Sequence, residues 1–310
     1  MKKIIVFILC LIIATDIIDS MFLNNTTYNL IKDFINKDYY TIVINKNVLK
    51  NGKYKYSEFS NHVKSTDDFF PNNKDELLNM YYTFLNNGLS DFTYYCDKNY
   101  STCIDDIKEI SNDANVFSYI NQLIHPYNSF KEINSKYNTV TKRVDIDITK
   151  KYSEEDINKI DKRINDISND LNINSYNSLR DKIKVFHDYI AKTNKYDKFK
   201  EINKSEYNSD TAIGTLFEGY SICSGYSDTM AIFLTKLGLD NVKVITDKHV
   251  WNAVKIDDKW YHIDLTWDDP VVLNGSDTIL YDYFLITSDE LLKKDLSQHK
   301  YDKDLYDFLN

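Results

Sequence analysis

Cys223, His249 and Asp264 follow one another along the second half of the chain. They are the residue types that supply a nucleophilic thiol, its base and the carboxylate that orients the base. The cysteine lies in "YSICSGYSDTM" (220–230), and Tyr226, Met230, Phe233, Leu234 and Leu237 follow at helical spacing until Gly238. This spacing predicts a helix whose first turn holds Cys223. Unpaired N–H groups and the positive end of the helix dipole stabilise a thiolate there. Gly225 is a poor helix former in that turn, and it is expected where a substrate backbone approaches closely. Cys223 would attack an acyl carbon, His249 would take and return the proton, and Asp264 would hold the imidazole tautomer.

The helix alone does not bring the three together. The segment 242–270 has to do so, and it reads as strands. Val242, Val244 and Thr246 alternate, and 249–256 and 259–265 flank Asp257-Asp258. A two-residue turn there opposes His249 to Thr266 and Trp251 to Asp264. His249 and Asp264 then become diagonal neighbours on one face, within reach of a hydrogen bond. A one-residue slip would put them on opposite faces. Asp tolerates positive φ at such a turn better than most residues.

Upstream, Ser153 and Asp156 form a capping box before an apolar stripe at Ile157, Ile160, Ile164, Ile167 and Leu171. Ser178 is the expected N-cap of a second helix with Leu179, Ile183, Phe186 and Ile190 inward. "KDELLNMYYTFLNNG" reads as a helix ending at Gly88, and "KRVDIDI" (142–148) as a strand with Val144, Ile146 and Ile148 on one face. His187 reads as a half-buried histidine with one hydrogen bond, and His125 beside Pro126 as structural. His262 shares a face with Asp264 but is less well aimed as a base than His249. Asn252 is structural, and Trp251, Trp260 and Trp267 are hairpin core or groove wall. The acidic pair Asp268-Asp269 lacks the alternating spacing of a calcium loop. No metal and no cofactor is expected.

"CSGYSDTMAIFLTKLGL", "HVWNAVKIDDKWYHIDLTWDDP" and "HDYIAKTNKYD" resemble the bacterial transglutaminase-like family. Its cysteine opens a helix in a C-x-G-Y-type motif. Its histidine lies in an H-x-W-N strand, and its aspartate in a W-Y-x-x-D-x-T-W-D-D-P hairpin. The resemblance spans about residues 175–290 and implies an α+β, papain-like core with catalytic Cys223, His249 and Asp264. In that core the cysteine helix packs on an antiparallel sheet. Relatives include acyl-transferring cross-linkers, cysteine peptidases, deglycosylating amidases and inactive scaffolds. The oxyanion hole is expected to use the Cys223 N–H, with Tyr220 as the candidate second donor and Trp251 near the groove.

The rest of the 310-residue chain frames this domain. Its composition, 43% hydrophobic and 27% charged, is that of a globular protein. A net charge of −9 argues against nucleic-acid and polybasic membrane surfaces without identifying a partner; the resemblance implies a protein or peptide substrate, cell-wall peptide included. Lys2, Lys3 and the apolar run Ile4–Ala14 have the form of an export signal at 1–20, with an uncleaved anchor as the alternative. A mixed α/β accessory domain (21–150) then precedes the transglutaminase-like domain (151–310). In an oxidising compartment Cys96 and Cys103 would bridge, leaving Cys223 as an odd, reactive thiol. Two other readings stay open: an inactive surface or cell-wall binding module that keeps the fold, and a structural protein cross-linked through Cys223.

Overall fold

The computed structural model describes residues 66, 68–269, 278–294 and 296–309. The apolar N-terminal run, all of 21–65 and Pro270 lie outside the described residues. Among the described residues no helix is long and apolar enough to cross a membrane.

The chain first builds a helical and sheet unit from α1 (Lys74–Asn86), β1 (Asp91–Tyr95), α2 (Cys103–Asn112), α3 (Ala114–Leu123), β2 (Phe130–Tyr137) and β3 (Arg143–Lys150). The three strands are antiparallel in the order β1-β3-β2. The alternation in β3 buries Val144, Ile146 and Ile148, as its period-2 pattern requires. α1 begins at Asn73, whose side chain caps the Glu76 N–H, and gives way to Gly88 at positive φ. Cys96 and Cys103 form a disulfide, their Cα atoms 5.9 Å apart, across the loop between β1 and α2.

The second unit opens with α4 (Glu154–Asp170), which carries the Ser153/Asp156 capping box, and α5 (Leu179–Thr193), capped by Ser178. Ile160, Ile164 and Ile167 on α4 and Ile183, Phe186 and Ile190 on α5 are buried. A short parallel pair follows, β4 (Lys195–Tyr196) with β5 (Tyr220–Ser221). Then come α6 (Cys223–Lys236), β6 (Asn241–Ile245), β7 (Val250–Ile256), β8 (Lys259–Ile263), α7 (Leu265–Asp268), β9 (Phe284–Ile286), α8 (Ser288–Leu291) and α9 (Leu296–His299). The sheet β6-β7-β8-β9 is antiparallel throughout.

α6 is buried on every face from Gly225 to Leu234, so it is a core helix and not an amphipathic surface one. It packs on β6 and β7, while Phe233 stacks on Phe186 of α5 at 3.8 Å between centroids. Asn252 of β7 donates to the Ser227 carbonyl at 2.9 Å, which fixes the helix against the strand. One hydrophobic cluster runs from Leu77, Phe84 and Ile120 of the first unit to Val242, Val244 and Trp251 of this sheet.

A charge cluster sits in the same core. The Asp228 carboxylate on α6 accepts from Lys243 of β6 (2.8 Å), from Lys151 (2.7 Å) and from the Tyr152 hydroxyl (2.6 Å). Burial opposes the anion, but the two lysines hold it well below the usual carboxylate range. Removing one partner of such a set strands buried charge of the opposite sign. Asp228→Ala is therefore expected to lower unfolding free energy by roughly 3–5 kcal/mol. Asp166→Ala, which breaks the exposed Lys162–Asp166 pair, should cost less than about 0.5 kcal/mol. Urea titrations of both variants check the contrast.

Candidate active site

Cys223 is the first residue of α6, with Ile222 as the N-cap in extended conformation. It is partly exposed and is the free cysteine among the described residues. The Ile222 N–H donates to the Ser209 carbonyl at 2.8 Å, and the Ser224 hydroxyl donates to the Asp210 carbonyl at 3.1 Å. The 208–211 loop thus clamps the helix mouth. This explains Gly225 differently from the sequence expectation. A Cβ there would meet the Ser209 carbonyl oxygen at 2.3 Å, so the close approach belongs to the protein's own backbone, not to a substrate.

The hairpin takes the expected register. Pairing runs from Asn252↔Ile263 to Ile256↔Lys259, around Asp257 and Asp258, both at positive φ. The strands are shorter than the expected 249–256 and 259–265. β8 ends at Ile263, and Asp264 becomes the N-cap of α7, accepting the Thr266 and Trp267 N–H groups at 3.0 and 3.3 Å. A carboxylate can satisfy two orphan helix donors there, which a strand position would not offer. His249 precedes β7 in a turn closed by Thr246, whose N–H donates to the His249 carbonyl at 2.9 Å.

The His249 Nε2–H donates to Asp264 Oδ2 at 2.5 Å, both side chains being almost fully buried. The other ring nitrogen is left for Cys223, which interacts electrostatically with the imidazole. Burial disfavours the His249 cation, but the Asp264 carboxylate and then Cys223 push the imidazole up to about 10. Burial likewise opposes the Asp264 anion, yet His249 and then His299 hold its carboxyl down at about 2. The structure therefore brings Cys223, His249 and Asp264 into one connected set in which the charged imidazole is favoured.

The other candidates fall elsewhere. Trp251 is 1% exposed and gives its indole N–H to His262 Nδ1 at 3.0 Å, so it is core beneath His249 and not groove surface. His262 is engaged on its other side with Ser288, and burial followed by His299 pushes it down to about 3, which removes it as a competing base. Tyr220 stacks on Tyr207 at 4.0 Å between centroids. His187 is wholly buried, not half-buried, and contacts two carboxylates, Asp188 and Asp268. His125 caps a single turn at Pro126–Asn128 through its Nδ1. Asp268 accepts from the Tyr283 N–H, and Asp269 from the Tyr226 hydroxyl, so each acid has a structural partner.

Residues 166–265 match the family model described as the transglutaminase-like superfamily. Two solved structures are similar to the chain. One is a TGase at 20% identity, covering 48% of this chain and 46% of that one, with a TM-score of 0.34. The other is a proposed cysteine protease from Cytophaga hutchinsonii at 14% identity, covering 44% and 61%, with a TM-score of 0.28. This chain spans less than two thirds of either. Among curated proteins none matches the sequence.

The site holds one further residue that the sequence reading missed. His299, at the end of α9, places its Nε2 2.7 Å from the same Asp264 Oδ2 that His249 uses. Among the described residues, His249, Asp264 and His299 are the group whose potential ligand atoms cluster within 4.8 Å. Both nitrogens contact a single carboxylate oxygen at direct hydrogen-bond distance, so the set reads as a hydrogen-bonded relay and not as a metal cage. A cavity of about 670 Å³ lies nearby, lined by Tyr119, Thr246, Lys248 and Gln298 among others. Cys223, His249 and Asp264 do not line it, so it is not where an acyl group would meet the thiol.

The His249–Asp264 pair makes stability pH-dependent, and its contribution is counted once. A raised imidazole stabilises fully below its ordinary value of 6.5, and that stability is lost as pH rises through about 10. A depressed carboxyl stabilises above its ordinary value of 3.8, and that part is lost as pH falls toward about 2. Between pH 6.5 and 10 the wild type should lose at least about 1 kcal/mol more unfolding free energy than His249→Gln. Urea midpoints of the two proteins across that range check this.

Proposed function

We propose that this protein is a thiol enzyme that cleaves amide bonds through an acyl-thioester on Cys223. The observation that carries the reading is the connected set at the mouth of α6: a partly exposed cysteine, an imidazole that interacts with it, and a buried carboxylate hydrogen-bonded behind that imidazole. The helix N-terminus and the imidazolium both favour negative charge on sulfur, the form that attacks. Cys223 Sγ adds to the amide carbon, and the oxygen takes the charge. The Cys223 N–H, in a first turn that lacks intrahelical acceptors, is the donor offered to that oxygen. Collapse of the adduct breaks the C–N bond, and His249 gives its proton to the departing amine. The thioester is then resolved by water or by a primary amine, with His249 taking a proton from either. Asp264 keeps the ring in the required orientation.

The substrate class is protein or peptide, cell-wall peptide included. Export itself rests on the Lys2-Lys3 and Ile4–Ala14 pattern, and the Cys96–Cys103 disulfide accords with an oxidising compartment. Residues 21–150 serve as an accessory region.

Two measurements test the reading. Alkylation of Cys223 by iodoacetamide near pH 6, followed on its own peptide by mass spectrometry, should be at least about tenfold faster in wild type than in His249→Ala. Equal, slow labelling in both would sink the activated thiol. Product mass spectrometry on a peptide library, with and without a primary amine, should show hydrolysis or amine incorporation. Cys223→Ala should lose either activity by about a thousandfold or more, and a Cys223→Ala protein that retains turnover would refute the mechanism.

A further inference from the structure

We infer that His299 is a positioning residue for the Asp264 carboxylate, dividing that anion between two imidazoles and so setting how firmly His249 holds its proton. The inference rests on the assignment of Cys223, His249 and Asp264 made above.

The geometry is specific. His299 is completely buried, and its Nε2–H donates to Asp264 Oδ2 at 2.7 Å, beside the 2.5 Å bond from His249. Its ring stacks on Tyr283 (4.7 Å, 17°) and stands edge-on to Trp251 and Trp267, each 5.1 Å away between centroids. Its Nδ1 is buried with no hydrogen-bond partner among the described residues. An aromatic pocket of this kind would accept phenylalanine or leucine without that unsatisfied nitrogen, which costs stability. The group that distinguishes histidine here is the N–H aimed at the carboxylate.

That N–H has a chemical consequence. Oδ1 is already occupied by the Thr266 and Trp267 N–H groups, so both histidines compete for Oδ2. A second donor fixes the plane of the carboxylate. It also draws away part of the negative charge that would otherwise hold the His249 proton. The titratable groups facing this carboxylate are Cys223 on α6, His249 before β7, His262 on β8, Asp268 on α7, Tyr283 before β9 and His299 on α9. Of these, only His249 and His299 are hydrogen-bonded to it among the described residues.

The test needs no substrate. The rate of iodoacetamide labelling of Cys223 is followed against pH, by mass spectrometry of its peptide, in the full chain of wild type, His249→Ala, His299→Leu and His299→Gln. Wild type should show an alkaline step set by His249, replaced in His249→Ala by the single rise of an isolated thiol. In His299→Leu that step should move up by about one pH unit, since loss of a charge-assisted bond leaves the carboxylate to His249 alone. His299→Gln, whose side-chain N–H can reach the same oxygen, should return the step to within about 0.3 unit of wild type. A His299→Leu protein that melts earlier but keeps the wild-type step would overturn the inference, leaving His299 a packing residue. So would a folded His299→Gln with the same displaced step as leucine. Identical profiles in wild type and His249→Ala would instead overturn the Cys–His assignment. Should His299→Leu not fold, His299→Phe, which keeps a ring among Tyr283, Trp251 and Trp267, carries the same comparison.

Discussion

The Asp264 carboxylate is the group around which the site is arranged, because a buried anion survives only if its lone pairs are met. Four donors meet them, two backbone N–H groups on Oδ1 and two imidazoles on Oδ2. They arrive from three separate pieces of chain, and each makes a demand on the backbone. β8 must stop at Ile263 so that Asp264 can cap α7. The turn after β6 must deliver His249 at the entrance to β7. The chain must then return through α9 to bring His299 to the remaining direction. Had the strand continued through Asp264, both Oδ1 donors would have been lost and the carboxyl would have drifted toward its neutral form.

Cys223 is positioned by other means. Hydrophobic burial on all sides holds α6 in place, but apolar contact is non-directional and leaves sliding and rotation open. Polar contacts remove that freedom. The Asn252 amide grips the Ser227 carbonyl one turn beyond Cys223, and the Ser209 carbonyl, admitted by Gly225, grips the Ile222 N–H just before it. Further along, Asp228 is pinned from two directions by Lys151 and Lys243. Buried ion clusters roughly break even in stability against apolar replacements. Their contribution here is orientation: they fix the axial position of a helix whose first residue has to meet His249.

What the sequence disclosed follows from how local each signal is. The stripes of α4 and α5, the capping box at Ser153 and the start of α6 at Cys223 are set within a few turns of chain, so periodicity finds them. The His249–Asp264 relation spans a hairpin, yet strand parity makes it legible, because the turn at Asp257-Asp258 leaves one register that puts both on one face. The end of β8 was not legible, since Tyr261, Ile263 and Leu265 continue an alternation that the cap at Asp264 overrides. Trp251 was ambiguous for a different reason: an indole suits a core and a groove equally, and only the Nδ1 of His262 decides where its N–H goes. His299 carried no signal. It closes a four-residue helix with no period to read, and it meets Asp264 through tertiary structure alone.

That last point bears on what the first unit does. A four-residue helix cannot sustain itself, since nucleation alone is unfavourable by about three orders of magnitude. α9 must be held from outside, and the contacts that hold it are traceable. The Thr246 hydroxyl donates to the Gln298 carbonyl at 3.0 Å, joining α9 to the same turn that delivers His249. Beyond α9, Tyr301 packs against Trp251, and Tyr306 stands edge-on to Tyr119 of α3 at 6.0 Å. The Tyr119 hydroxyl in turn donates to the Leu305 carbonyl at 3.3 Å. The C-terminal segment is thus wedged between the first unit and the four-stranded sheet. Through it, α3 supports the position of His299, and the region read as an accessory from sequence becomes part of what orients the Asp264 carboxylate.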